Sequence, residues 1–470
     1  MVFPSRRVHA LRGKPFNHSA ISTIQPFQTI KMKLKNIITA VLLSTFPVIL
    51  FSQNKLTRQA AAKTALENNY GIKVAKNNIR VAANNTSREM NGYLPTLNLS
   101  AGPTGSFGGS TQKFNGALGE AKVSNAFSWN ASATAAANYQ LFNKTRDMNL
   151  AKLKEVLNLT DLQLRQAMEL NLMQVYNSYY QVAKLVENGN AVAQSLGVSR
   201  RRLQRAEYRF EYGQGTGLDV LNARVDIQRD SVRLLNIRQQ LANAKRNLNV
   251  VMGMPVGNDF AVDTAVVYSP VLSEQRLIAD AKNNNVAILM ADQNLAINEV
   301  DLQVIDAGRK PTVGASASYN YNYSDNANGS FIKTSTSNGL NVGLTANWNI
   351  FDGGRRKVQE QNTRIAIESQ LVQKEQIEQE LERDVRNTWE NYQNALFVLE
   401  VEKNALATNR LNLERTQELF NNGQLTSVEF RQAQLNLLNA EVSFNNAKYD
   451  AKVVELELIW LSGGLLDGVD

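Results

Sequence analysis

The sequence predicts a mixed α and β membrane chain, assembled from two tandem structural repeats. Each repeat holds two amphipathic strands, a very long helix and a shorter returning helix. Three observations predict it: where proline is missing, where apolar residues alternate, and which motifs occur twice.

The chain begins with a leader that accounts for most of its charge. Residues 1–52 hold seven basic side chains (Arg6, Arg7, Arg12, Lys14, Lys31, Lys33, Lys35) and no acidic one. Setting those seven of the 51 basic residues aside leaves 44 against 42 acidic, so the formal +9 is not a nucleic-acid signal. Met32-Lys33-Leu34-Lys35 reads as the charged region of a secretory signal and Ile37 to Phe51 as its apolar region, with Ser52 suited to the cleavage position. The expected organisation is therefore a misassigned N-terminal extension at 1–31 and a signal peptide at 32–52. The apolar run is short for a retained membrane anchor. Both histidines, His9 and His18, fall in this leader, and the chain has no cysteine. Imidazole or thiolate metal sites, Ser-His-Asp triads and cysteine nucleophiles are thereby removed. No enzyme activity and no cofactor is expected.

The first repeat is expected over 53–266. Its first strand, about 95–107, opens with the alternation Leu97, Leu99, Ala101. Its second, about 126–142, is plainer: Phe127, Trp129, Ala131, Ala133, Ala135, Ala137, Tyr139 and Leu141 alternate with small polar residues. A period of two gives a strand with one apolar and one polar face. About twelve residues tilted by about 40° match the apolar thickness of a bilayer, and aromatics at the run ends suit its interfaces. A soluble sandwich face would alternate in the same way, but an exported chain with no other apolar span favours the membrane.

A long helix follows at about 143–211, then a return helix at about 217–252. The nine prolines leave 104–254 and 312–470 empty, as long helices require. Leu157, Leu164, Leu172 and Val175 follow a helical period. Gly213-x-Gly215-x-Gly217 imitates a phosphate loop, but it follows a helix and lacks the Lys-Ser/Thr element, so it reads as a turn. The basic run Arg200, Arg201, Arg202, Arg205, Arg209 suits a helix C-terminus or an acidic partner surface. Residues 253–273, with Pro255 and Pro270, form the linker.

The second repeat, 267–470, has strands at about 311–324 and 339–351, a long helix at about 354–421 and a return helix at about 427–462. Val313 to Tyr321 and Leu340 to Ile350 alternate, and Tyr319, Tyr321 and Tyr323 suit a girdle. Leu381, Val385, Trp389, Tyr392, Leu396 and Leu399 recur at three- and four-residue steps. Roughly 67 residues separate the Asp352-Gly353-Gly354 and Asn421-Asn422-Gly423 turns, about 100 Å of helix. The duplication is explicit: Leu94-Pro95-Thr96 matches Lys310-Pro311-Thr312, Ala137–Phe142 matches Ala346–Phe351, and Tyr212–Thr216 matches Asn422–Thr426.

Four strands cannot close a barrel, and an open edge in lipid leaves backbone groups unpaired. Copies of the chain must pool their strands. Two copies give eight, with an interior filled by side chains; three give twelve and a lumen. The small polar faces suit water and favour three.

These features resemble the TolC-type outer-membrane efflux channels, the outer membrane factors, across 55–465. The resemblance is carried by Tyr93-Leu94-Pro95, Leu141-Phe142-Asn143, Ile350-Phe351-Asp352-Gly353-Gly354, and the turn segments 213–223 and 423–433. It implies a homotrimer with a 12-stranded β-barrel in outer-membrane lipid, continued by a long α-helical periplasmic barrel. It also implies a passive export channel of a tripartite efflux or type I secretion system, served by a periplasmic adaptor (membrane fusion) protein and an inner-membrane transporter. Nucleic acid is not an expected partner. Residue by residue, Glu429 and Gln432 fall where relatives carry acidic rings at the closed periplasmic entrance, the second neutral here. Asp219 matches an acid that pairs with a basic residue of the second turn, a position held by Leu425 in this chain. Gly213, Gln214, Gly215, Gly423, Gln424 and Leu425 match the helix tips where adaptors dock. An ordinary helix-start acid is the plainer reading of Asp219 and Glu429. A trimeric structural or adhesive coiled-coil surface protein is the alternative, and the duplicated hairpin-plus-rod argues against it.

Overall fold

The computed structural model describes residues 55–115, 119–269, 272–326 and 332–467. The expected leader at 1–52 lies outside the described residues. In chain order the first repeat contains α1 (Arg58–Asn68), α2 (Tyr70–Asn85), β1 (Thr96–Lys113), β2 (Glu120–Phe142), α3 (Lys144–Glu211) and α4 (Gly217–Met252). The second contains α5 (Glu274–Asn284), α6 (Val286–Ala307), β3 (Thr312–Asp325), β4 (Thr334–Asn347), α7 (Arg355–Asn421) and α8 (Ser427–Leu461).

The strands form one antiparallel sheet in the order β1-β2-β3-β4. Leu97, Leu99, Leu340, Val342 and Leu344 are 69–79% exposed on it. A row of apolar side chains this bare is a surface built to be covered, as the lipid-facing band of a membrane barrel is. Three strand extents differ from the alternation. β1 runs on to Lys113 and β2 starts at Glu120, because backbone pairing continues through Lys113↔Glu120 where the side chains no longer alternate. The register shifts between Gly108 and Ser110, and Asn125, with φ 51°, sits opposite this irregularity. β4 spans 334–347 rather than 339–351. Its polar start has no pattern to read, and Pro311, without an N–H, ends the partner strand beside Asn347.

Below the sheet the helices stand side by side. The upper row is α2-α3-α6-α7, each continuing one strand; the lower row is α4-α3-α8-α7. α3 and α7, of 68 and 67 residues, run through both rows. No described helix is apolar enough to cross a membrane. The core gathers at mid-height, where Tyr179, Tyr180, Leu172 and Val175 of α3 pack on α1, on Leu248 and Met252 of α4, and on Tyr449 and Leu456 of α8. A second cluster joins Leu381, Val385 and Tyr392 of α7 to α5 and to Leu458 of α8. The Tyr179 hydroxyl lies 2.9 and 2.8 Å from the carbonyl oxygens of Leu56 and Asp263, fastening both chain segments to α3.

The duplication reaches single atoms. Asn69 caps α2 and donates to the Val251 carbonyl at 2.8 Å; Asn285 caps α6 and donates to the Leu461 carbonyl at 2.9 Å. Gly253 (φ 71°) and Gly463 (φ 78°) end the return helices. A Cβ on either would lie 2.4 or 2.5 Å from the carbonyl oxygen of Asn68 or Asn284. Only glycine allows both the left-handed backbone and this approach.

Candidate periplasmic entrance

The far ends of the two helical hairpins repeat one design. The long helix stops at a left-handed glycine, Gly213 (φ 68°) or Gly423 (φ 77°). The next amide closes the turn: Gln214 donates to the Arg209 carbonyl at 2.7 Å, and Gln424 to Leu419 at 2.9 Å. Gly215 and Leu425 follow, then Thr216 and Thr426 as N-caps of α4 and α8.

Asp219 and Glu429 both complete capping boxes. The Asp219 carboxylate accepts from the Thr216 hydroxyl at 2.7 Å and its amide at 3.3 Å. Glu429 accepts from the Thr426 hydroxyl at 2.7 Å and its amide at 2.8 Å. The Thr426 amide and hydroxyl, in that order, hold the Glu429 carboxyl below the usual glutamate range. Glu429 is exposed. Gln432, one turn further, is also exposed and donates to Asn436 at 2.8 Å. Asp219 and Glu429 thus hold equivalent places, each satisfied inside its own turn, and Leu425 stands in the second turn.

Two links join the hairpins instead. Arg205, eight residues before Gly213, donates to the Asn421 carbonyl at 2.8 Å and lies 5.0 Å from the Phe420 ring centroid. The second turn therefore stops short of the first. Phe420 stacks on Phe430 at 4.9 Å. The stronger link is buried. Arg431 of α8 grips Asp230 of α4 through two bonds of 2.7 and 2.8 Å, and Ser199 of α3 donates to Asp230 at 2.6 Å. Arg202 pairs with Asp226, and Gln434 donates to Ser195 and Ser199. Burial alone would raise the Asp230 carboxyl. The hydrogen bonds of Arg431 and Ser199 and the charges of Arg431 and Arg202 outweigh it and hold that carboxyl below the ordinary range.

Sequence reasoning missed this cluster, although a signal exists. Asp226 and Asp230 continue the stripe of buried Val220 and Ala223, and Arg431 and Gln434 flank buried Phe430 and Ala433. Charges on a core stripe mark paired, buried ions. The arginine run is largely spent internally: Arg202 and Arg205 as above, and Arg209 on the Gln214 carbonyl at 3.1 Å. Arg200 and Arg201 stay exposed.

The fold and these paired tips define an outer-membrane channel subunit. Residues 61–254 and 277–464 match the outer membrane efflux protein family, with the linker falling between the two matched segments. The chain belongs to this family, and its place is the outer membrane, with the helices extending into the periplasm. It is similar to outer membrane protein TolC of Vibrio cholerae, 21% identical over 289 residues, covering 61% of this chain and 66% of that protein. The match thus spans just under two-thirds of that relative. It is also similar to outer membrane efflux protein BepC of Brucella suis, 20% identical over 425 residues, covering 88% and 89%. The CmeC outer membrane channel of Campylobacter jejuni shares the fold with a TM-score of 0.67 at 15% identity, covering 87% of this chain and 86% of that one.

Proposed function

We propose that three copies form the outer-membrane channel of a tripartite efflux or type I secretion system. The channel is a passive conduit, fed by a periplasmic adaptor and an energised inner-membrane transporter. One observation carries this reading: the chain is a wall with two open edges. Among the described residues β1 and β4 each have one partner, and the helices below them leave matching edges on the same sides. Exposed strand edges in lipid demand partners. Three walls give twelve strands and a water-filled lumen lined by the small polar faces.

In this reading the turns surround the periplasmic mouth. Asp219, Glu429 and Gln432 border it, and the tips at Gly213-Gln214-Gly215 and Gly423-Gln424-Leu425 receive the adaptor. The Asp230–Arg431 cluster holds the two hairpins of one chain together above that mouth. Mass measurement with cross-linking in detergent tests the assembly, and planar-bilayer recording tests the conduit. A trimer with ohmic conductance is expected; a stable monomer free of detergent would refute the channel.

A further inference from the structure

We propose that the cleft where α3, α6 and α7 meet, directly beneath the strands, binds the phosphate headgroup of an anionic phospholipid from the periplasmic leaflet. This rests on the outer-membrane location and not on the export reading.

Position comes first. α3 starts two residues after β2 ends, so Lys144 stands at the base of the sheet. The polar residues Asn138, Gln140, Ser316 and Thr345 share one hollow on the sheet, and Asn349 continues that face into a hollow between α6 and α7. That inner hollow uses Asp301, Val304 and Gly308 of the α6 segment. The Lys144 cleft uses Leu302 and Asp306, turned round the helix from these, and Arg309 just beyond the helix end, with Ile305 lying between the two hollows. Trp348, from the apolar alternation of the second repeat, donates its indole N–H to the Arg309 carbonyl at 3.0 Å. The cleft therefore opens under the lipid-facing girdle that Trp348 and Ile350 begin, both largely exposed.

Chemistry comes second. The cleft has a volume of about 380 Å³, room for a phosphate and its glycerol but not for acyl chains, which would lie along the girdle. Its apolar wall is Met148, Leu302 and Ile305, and its rim carries Lys144, Arg309, Lys310 and Arg364 against Asp306 and Glu360. Both acids are already engaged: Arg309 pairs with Glu360 at 2.9 Å and Asp306 at 3.3 Å, and Arg364 pairs with Glu360 at 3.0 Å. Among the described residues, Lys144 and Lys310 have no acidic partner. Two free ammonium groups at headgroup depth, beside an apolar wall, match one phosphodiester anion with its tail. At the opposite end of the strands two of the lysines are matched, Lys113 facing Glu120 at 3.8 Å and Lys333 facing Asp325 at 4.0 Å.

Native mass spectrometry of the full chain in detergent, doped with phosphatidylglycerol or phosphatidylcholine, tests this. The unaltered protein should retain phosphatidylglycerol preferentially. Added salt should weaken that preference, and inorganic phosphate at equal concentration should not displace the lipid. Lys144→Gln and Lys310→Gln should each lower the preference by about fivefold, whereas the Lys144→Arg/Lys310→Arg double variant should keep it. Equal retention of the two lipids by the unaltered protein overturns the proposal, whether or not any variant assembles. So does an unchanged preference in the double glutamine variant, or displacement by free phosphate.

Discussion

A glutamate at the third position of a helix caps the chain and carries charge at once, and Glu429 allows the two to be separated. Glutamine serves equally in a capping box, so Glu429→Gln keeps the bonds to Thr426 while removing the charge. In planar bilayers it should weaken cation preference and divalent-ion block with assembly intact, and Glu429→Arg should reverse the preference. Unchanged selectivity in both would leave Glu429 as a cap alone. Because Thr426 depresses the carboxyl, its charge and its capping contribution are present above the ordinary glutamate value of 4.5 and are lost only as pH falls through the lower one. Cation preference should therefore persist in recordings at pH 4.5. Gly253→Ala and Gly463→Ala combine a left-handed backbone with a collision, so each should cost at least about 1–3 kcal/mol. Gly257→Ala, with open space around it, should leave the melting temperature nearly unchanged. The turn glycines were legible because a helix stop writes itself locally. The collision of Gly253 with Asn68 was not, since it joins positions distant in sequence.

At the scale of the hairpin, the Asp230–Arg431 pair is the element that binds two repeats into one body. The Asp230 side chain is 5% exposed and that of Arg431 11%. Removing one partner strands the other in low dielectric, so Asp230→Ala should destabilise the lower wall by about 3–5 kcal/mol. Hydrogen exchange should quicken along the lower halves of α4 and α8 and stay slow around Tyr179. An Asp230→Leu/Arg431→Met double variant should recover much of the loss. The folded Asp230 carboxyl lies below its ordinary value, so its contribution exists above that value and disappears as acid takes pH through the lowered one. Exchange measured from pH 6 downward would show it. The helices and the centres of the strands were readable because their periods of 3.6 and 2 extend over many residues. The outer ends of β1 and β2 were not, because there the backbone ladder continues while Ser, Gly and Lys side chains carry no period.

For the whole molecule, the repeats that sequence revealed as matched motifs become one wall with upper and lower rows. The mid-height seam, where Asn69 and Asn285 reach the ends of the return helices, was invisible until the helices were placed. The bare face of the sheet has a further consequence for how such a protein arrives at its destination. Leu340, Val342 and Leu344 are separated by Asn341 and Gly343, so the apolar surface exists only once the strand is extended and paired. As an unfolded thread the same residues average out as polar, and nothing in 334–347 approaches the 18 or so consecutive apolar residues that halt a chain in the inner membrane. Splitting greasiness between alternate positions lets the polypeptide be threaded through one bilayer without stopping and then settle in the next, where folding first makes it insoluble in water.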